Sequence, residues 1–159
     1  MIRTLKPSDR TRLKQIIESS GQFTSEEVNV AMELIDITIN FPGQQDYNIY
    51  VKEHDDQVIG YHCTGRRPMT DAVFDLYWIV VDARVKGKGF GKELLGHAEQ
   101  FVKEQSGRLI LAETSSKENY GKTRAFYEKN EYSLLAEIKH FYAMDDSLLV
   151  FGKYFMLNS

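Results

Sequence analysis

One stretch, residues 74–95 (FDLYWIVVDARVKGKGFGKELL), constrains this chain more than any other. The apolar run 73–81 is rich in β-branched and aromatic residues and reads as a buried, central strand. It enters a short basic loop holding Lys86, Gly87, Lys88, Gly89, Phe90, Gly91 and Lys92. An amphipathic helix follows at once, with Leu94, Leu95, Ala98, Phe101 and Val102 on one stripe. Glycine lets backbone N–H groups approach a ligand with no Cβ in the way. The helix start adds unpaired N–H groups and a partial positive charge. Strand, glycine loop and helix together form a cradle for phosphate or pyrophosphate.

Two common phosphate-binding patterns fail on named residues. A P-loop, G-x-x-x-x-G-K-[ST], needs a glycine where Lys86 stands and a hydroxyl where Glu93 stands. A dinucleotide fingerprint, G-x-G-x-x-G, is met by Gly87 and Gly89 but has Lys92 at its third glycine. A glycine-rich turn with solvated lysines is the bland alternative.

The rest of the chain supplies a mixed α/β order. Residues 2–5 read as a strand, and Pro7-Ser8-Asp9 opens a helix with Leu13, Ile16 and Ile17 on one face. Gly21 ends it. Thr24 and Glu27 have capping-box spacing before a second helix faced by Val28, Ala31, Met32 and Ile35. Residues 47–53 and 58–63 read as a hairpin turned near Asp55-Asp56. After the glycine loop come a buried strand at 109–113, a helix at 123–129, and an antiparallel pair at 132–142 and 148–154 turned at Asp145-Asp146. The order β-α-α-β-β-β-α-β-α-β-β predicts one domain over 1–159, with a mostly antiparallel sheet of about seven strands flanked by helices.

Composition narrows the partners. A net charge of -3 argues against nucleic acid, since phosphate-backbone binders carry a basic surface. The lysines of the loop are a local patch suited to a small anion. Cys63 is the sole cysteine, so internal disulfides and cysteine metal clusters are excluded, and it reads as a small buried hydrophobe. His54, His62, His97 and His140 lack metal-ligand spacing, so no metal is expected. No run reaches the ~18 apolar residues of a membrane span. The N-terminus has no apolar signal-peptide core, which makes the cytoplasm the expected compartment.

The run Lys86-Gly87-Lys88-Gly89-Phe90-Gly91 resembles the acyl-CoA loop of the GCN5-related N-acetyltransferase (GNAT) superfamily, [Q/R]-x-x-G-x-[G/A] between a strand and a helix. Lys86 departs from Gln or Arg, keeping a cation but losing the planar fork. A second register, starting at Arg84, also fits the pattern; the first puts the helix stripe at the usual offset. Downstream, Phe126-Tyr127 and Tyr132 are similar to the late [FL]-Y-x-x-x-G-[FY] helix, with Glu131 in place of the glycine. A glycine there serves a left-handed helix end, and Asn130 is the residue expected to take that conformation.

The resemblance implies an acetyl-CoA-dependent N-acetyltransferase acting on a primary amine, small or on a protein, by direct attack in a ternary complex. It implies a sheet splayed at the acyl-CoA site and, as is common in the superfamily, a homodimer. Backbone groups near Val81 would bind pantetheine and polarise the thioester. The amides of residues 87–92 would hold the pyrophosphate. Asn119 and Tyr120 lie where the family often has a CoA-binding Asn. Tyr127 would protonate the leaving thiolate.

Asp75 is the leading general base, on a face shared by period-2 geometry with Tyr77, Ile79 and Val81. Its structural alternative is a pairing with an arginine such as Arg66. Glu113 is the rival base. His62 reads as a satisfied strand histidine, with the acceptor site as its alternative. Phe74, Tyr77, Trp78, Phe141 and Tyr142 read as core, with one or two lining the acceptor pocket. The competing functional class is an acyl-CoA sensor without turnover; a nucleotide-binding protein of another fold is a third.

Overall fold

Runs of β-branched and aromatic residues and 3.6-residue apolar stripes resolve into strands and helices in the computed structural model, which describes residues 1–155. In chain order these are β1 (Ile2–Thr4), α1 (Arg10–Ser19), α2 (Ser25–Asn40), β2 (Asn48–His54), β3 (Gln57–Arg66) and β4 (Val73–Val81). Then come α3 (Phe90–Glu104), β5 (Leu109–Ser115), α4 (Gly121–Lys129), β6 (Ser133–Ala143) and β7 (Asp146–Tyr154). The sheet order is β1-β2-β3-β4-β5-β7-β6, antiparallel throughout except between β4 and β5. The expected seven-stranded mixed α/β sheet is therefore present among the described residues. No helix among them is long and apolar enough to cross a membrane.

The helix starts follow from local chemistry. Pro7–Asp9 forms a 3-10 turn that leads into α1. The Thr24 hydroxyl accepts from the Glu27 N–H at 3.1 Å while the Glu27 carboxylate accepts from the Thr24 N–H at 3.2 Å, capping α2. On one side of the sheet, Leu13, Ile16, Ala31 and Ile35 pack on Ile49, Val51, Tyr61 and Cys63. On the other, Leu95, Ala98 and Val102 pack on Phe74, Leu76, Ile110 and Phe151. Cys63 is buried as expected, and burial pushes its thiol well above the ordinary range.

β4 departs from simple alternation. Cys63 faces Trp78, but the next β3 residue, Thr64, faces Leu76, so Tyr77 is an extra residue in β4. This bulge flips parity along the strand. Phe74 and Leu76 join the α3-side core, whereas Trp78 and Val80 join the α1/α2-side core. Asp75 consequently shares its face with Trp78 and Val80, not with Tyr77, Ile79 and Val81 as strict period-2 geometry predicts. Gly65, opposite Asp75, makes room for the bulge: a Cβ there would lie 2.7 Å from the Tyr77 ring and 2.3 Å from the Asp46 carbonyl oxygen.

Other expectations need correction. Glu131, not Asn130, is left-handed, with φ of 71°, while Asn130 has φ of -98°. The Asn130 amide side chain instead donates to the Phe126 carbonyl at 2.8 Å. Asp146 is not merely a turn residue: it begins β7, is buried, and accepts a hydrogen bond from the Ser115 hydroxyl. Phe141, Tyr142 and Tyr77 are exposed rather than core, the first two on edge strand β6. The wide irregularity between Ile138 and Ala143 takes that part of β6 off the regular ladder.

A left-handed conformation costs a residue with a Cβ about 1–2 kcal/mol. Glu131→Gly should therefore stabilise the protein by about 1 kcal/mol, measured by denaturant unfolding. A loss of stability would show that the Glu131 side chain makes up for its backbone strain.

Candidate active site

The site is built where β4 and β5 part. They pair in parallel only at Val73–Leu109, Phe74–Ile110 and Asp75–Leu111. Beyond these three rungs β4 stays with β3 and β5 stays with β7, so a gap opens between them. The Asp82 N–H donates to the Ile59 carbonyl at 2.7 Å, placing Asp82 and Val80 in the β3 ladder. Antiparallel strands alternate the direction of their peptide groups, so those of Val81 and Ile79 point into the gap. A cavity of about 270 Å³ lies there, lined by residues of β4, β5, α4, the α1–α2 segment and β6.

At the far end of β4 stands the glycine loop. Gly87 and Gly89 have φ of 85° and 84°, conformations that a Cβ would strain. Gly89 is the N-cap of α3 and has no side-chain cap, so the first N–H groups of the helix, from Phe90 to Lys92, are free to face an anion. Phe90 contributes only its backbone here, because its ring is buried 4.8 Å from that of His54. Gly91 brings the first turn of α3 against the ring of Phe126, 3.5 Å from where its Cβ would lie, and close to Val81. Lys86, Lys88 and Lys92 are exposed around the loop.

The approach to the loop is anchored by a residue that sequence reasoning passed over. Asp82 is buried and accepts from the guanidinium groups of Arg12 and Arg84, the latter at 2.8 Å. It also accepts from the Arg84 backbone N–H at 3.0 Å. Arg84, the start of the second motif register, is thus committed to Asp82. These partners hold the Asp82 carboxyl well below the usual carboxylate range, Arg84 most strongly.

Tyr127, on α4, lines the cavity and is 5% exposed. Burial raises its phenol well above the ordinary value, which keeps it protonated. Tyr120 also lines the cavity, but its hydroxyl donates to Glu27 at 2.8 Å. Asn119 is exposed in the 3-10 turn Glu118–Tyr120 and does not line the cavity.

The two candidate bases meet on one cation. Arg67, in the β3–β4 loop, donates to Asp75 at 3.0 Å and to Glu113 at 3.3 Å. The structural alternative for Asp75 therefore names the wrong arginine: Arg66 donates to the Asp71 carbonyl and covers the Phe74 ring at 4.7 Å. Burial raises the Asp75 carboxyl above the ordinary value, against the opposing pull of Arg67. His62 lies on the other side of the sheet, fully buried and 2.9 Å from the His97 ring nitrogen. Burial and His97 push it down to about 3, so it is neutral; its Nε2 meets His97, but its buried Nδ1 has no partner among the described residues, so it is not the fully satisfied strand histidine expected. Among the described residues no cluster of His, Cys, Asp or Glu is arranged to hold a metal ion.

With this geometry, the comparisons with known proteins agree. The family model for the acetyltransferase (GNAT) domain matches residues 45–134. The chain belongs to the GNAT family of N-acetyltransferases. A GNAT-family crystal structure from Desulfovibrio desulfuricans has a TM-score of 0.91 and 35% identity, covering 97% of this chain and 98% of that one. A curated relative, the 5-NmdU N-acetyltransferase of Pseudomonas phage PaMx11, is 26% identical over 140 residues, 86% of this chain and 89% of its own. An acetyltransferase structure from Salmonella typhimurium, determined with acetyl-CoA as its cofactor, shares the fold at a TM-score of 0.75 and 14% identity, covering 100% of this chain and 95% of that one.

Within this GNAT site, Gln22, Phe23, Glu27, Arg67 and Thr114 line the cavity without having been singled out from the sequence, while Tyr77, Trp78 and Tyr142 of the aromatic group line it too. A single signal was available for Glu27, whose capping-box role fixes its side chain near the start of α2. For Asp82 the sign of its pH effect is clear. Its folded pKa is depressed, so its stabilisation is complete above the unfolded value of about 4 and is lost as pH falls toward the folded value. Asp82→Asn should cost about 2 kcal/mol at neutral pH and flatten the acid side of the stability curve, read by urea unfolding at several pH values. An unchanged acid dependence would remove Asp82 as the anchor.

Proposed function

We propose that this GNAT protein transfers the acetyl group of acetyl-CoA to a primary amine by direct attack in a ternary complex. The observation that carries this reading is the gap between β4 and β5, with the Val81 and Ile79 peptide groups turned into it. Peptide groups left out of a sheet ladder require a hydrogen-bonding occupant. Pantetheine, an amide-bearing chain, is such an occupant, and the glycine loop stands where its pyrophosphate would follow. The amides of Gly87, Lys88, Gly89, Phe90, Gly91 and Lys92 would bind that group, with Lys86 adding charge. A relative named for N-acetyl transfer and a fold neighbour holding acetyl-CoA support the same chemistry.

The amine nitrogen attacks the thioester carbonyl carbon, and the Val81 N–H is the candidate donor to the developing oxyanion. Asp75, with a carboxyl raised by burial, takes the proton that the amine must lose. As the C–S bond breaks, Tyr127 gives its proton to the thiolate. Tyr120, held by Glu27, shapes the cavity wall, and Asn119, exposed outside the cavity, is left to contact the outer part of the cofactor. A binding-only sensor has no need of an ionisable carboxylate and a protonated phenol lining one cavity.

Release of free thiol from acetyl-CoA across a panel of amines tests the reading. Tyr127→Phe should lower kcat by about 100-fold while CoA affinity stays within about twofold. An unchanged rate would take Tyr127 out of the mechanism. Tight CoA binding with no turnover on any amine would favour the sensor.

A further inference from the structure

Three residues meet at the root of the gap. Asp75 ends the last rung that joins β4 to β5, opposite Leu111. Glu113 stands two residues further along β5, where the strands have parted. Arg67 reaches both from outside the two strands, and its own N–H is tied to the Val73 carbonyl at 2.8 Å. One guanidinium nitrogen, Nη1, serves both carboxylates. The Asp75 side chain is 10% exposed, whereas those of Arg67 and Glu113 are 44% and 43% exposed. The buried member of the trio thus depends on a partner that solvent can reach.

We propose that Arg67 is a positioning residue for acetyl transfer: its guanidinium spans the first open rung, holds Asp75 and Glu113 as a pair facing the acceptor, and keeps Asp75 ready to accept the amine proton. This rests on the functional reading above. Without Arg67, two carboxylates would face each other across the opening of the gap, and the buried one would take up a proton first. A planar fork suits two acceptors on different strands better than a point charge does, yet an ammonium keeps the sign of the interaction. The groups facing Asp75 are Arg67 from the β3–β4 loop, Glu113 from β5 and Tyr77 from β4. Glu27 from α2, Tyr120 and Tyr142 from β6 complete the polar wall. Arg67 is the one cation among the residues lining this cavity.

The direction of the effect is set by charge. Removing a cation in contact with a carboxylate raises the carboxyl pKa, commonly by 1–3 units and by less where solvent reaches the cation. A base with a raised pKa is protonated to higher pH, so the acidic limb of kcat/KM moves up.

Arg67→Gln and Arg67→Lys are the variants, compared with the parent by carbon-detected NMR titration of Asp75, assigned through Asp75→Asn, and by pH–rate profiles. The proposal expects Arg67→Gln to raise the Asp75 pKa and the acidic limb together, by about one unit. Arg67→Lys should restore most of both. An Asp75 titration indifferent to Arg67→Gln would overturn the proposal, whether or not an acceptor is known. A shifted titration with an unmoved acidic limb would remove Asp75 as base, which is a failure of the functional reading, and would overturn the place of Arg67 in the reaction. Should Arg67→Gln fail to fold, an Arg67→Lys profile that leaves both values at the parent's supports the proposal, and one that loses turnover with no shift in either overturns it.

Discussion

The structure depends on the parting of β4 and β5 after three paired rungs. A parallel pair of strands would ordinarily continue its ladder, since unpaired peptide groups away from water are costly. Here each strand has a different commitment. β4 follows β3 to Gly60–Val81, and β5 follows β7 to Ser115–Leu148. The two ladders diverge, and the peptide groups on their inner edges are left for an occupant. The helices then take their places around the opening: α3 begins at the end of β4, and α4 brings Tyr127 against its wall.

Charge is divided along this opening. The glycine loop carries exposed Lys86, Lys88 and Lys92 and the positive end of α3. The opposite end of the cavity carries Glu27, Asp75 and Glu113, with Arg67 between the last two. On the proposed function, this division would draw an anionic cofactor and a cationic amine to opposite ends of one gap. Asp82 anchors the loop approach, since its pairing with Arg12 ties that approach to α1.

Most of the fold was legible because its determinants are local. The β4 run, the capping box of α2 and the α3 stripe each reflect a periodicity or a short-range hydrogen bond, and all three lie where they were expected. The glycine loop was legible for the same reason, as consecutive residues supply both its conformation and its donors. The acceptor end was not. Asp75 could be found as a carboxylate in an apolar strand, but its facing depended on the Tyr77 bulge, which requires Gly65 on another strand. Its partner Arg67 is one residue from the arginine that sequence reasoning named, and nothing local distinguishes the two. Glu131 shows the limit of reading the motif by residue type: the position that the motif gives to glycine has a left-handed backbone here with Glu131 in it.

The central claim is that acetyl-CoA fills the gap between β4 and β5 and reaches the glycine loop. Amide hydrogen exchange with and without acetyl-CoA, resolved by residue, tests it most directly. The account predicts slowed exchange at Ile79, Val81 and the amides of residues 87–92, with β1 and β2 unchanged. Binding that leaves Val81 and the glycine loop unprotected, or protects a different surface, would contradict it.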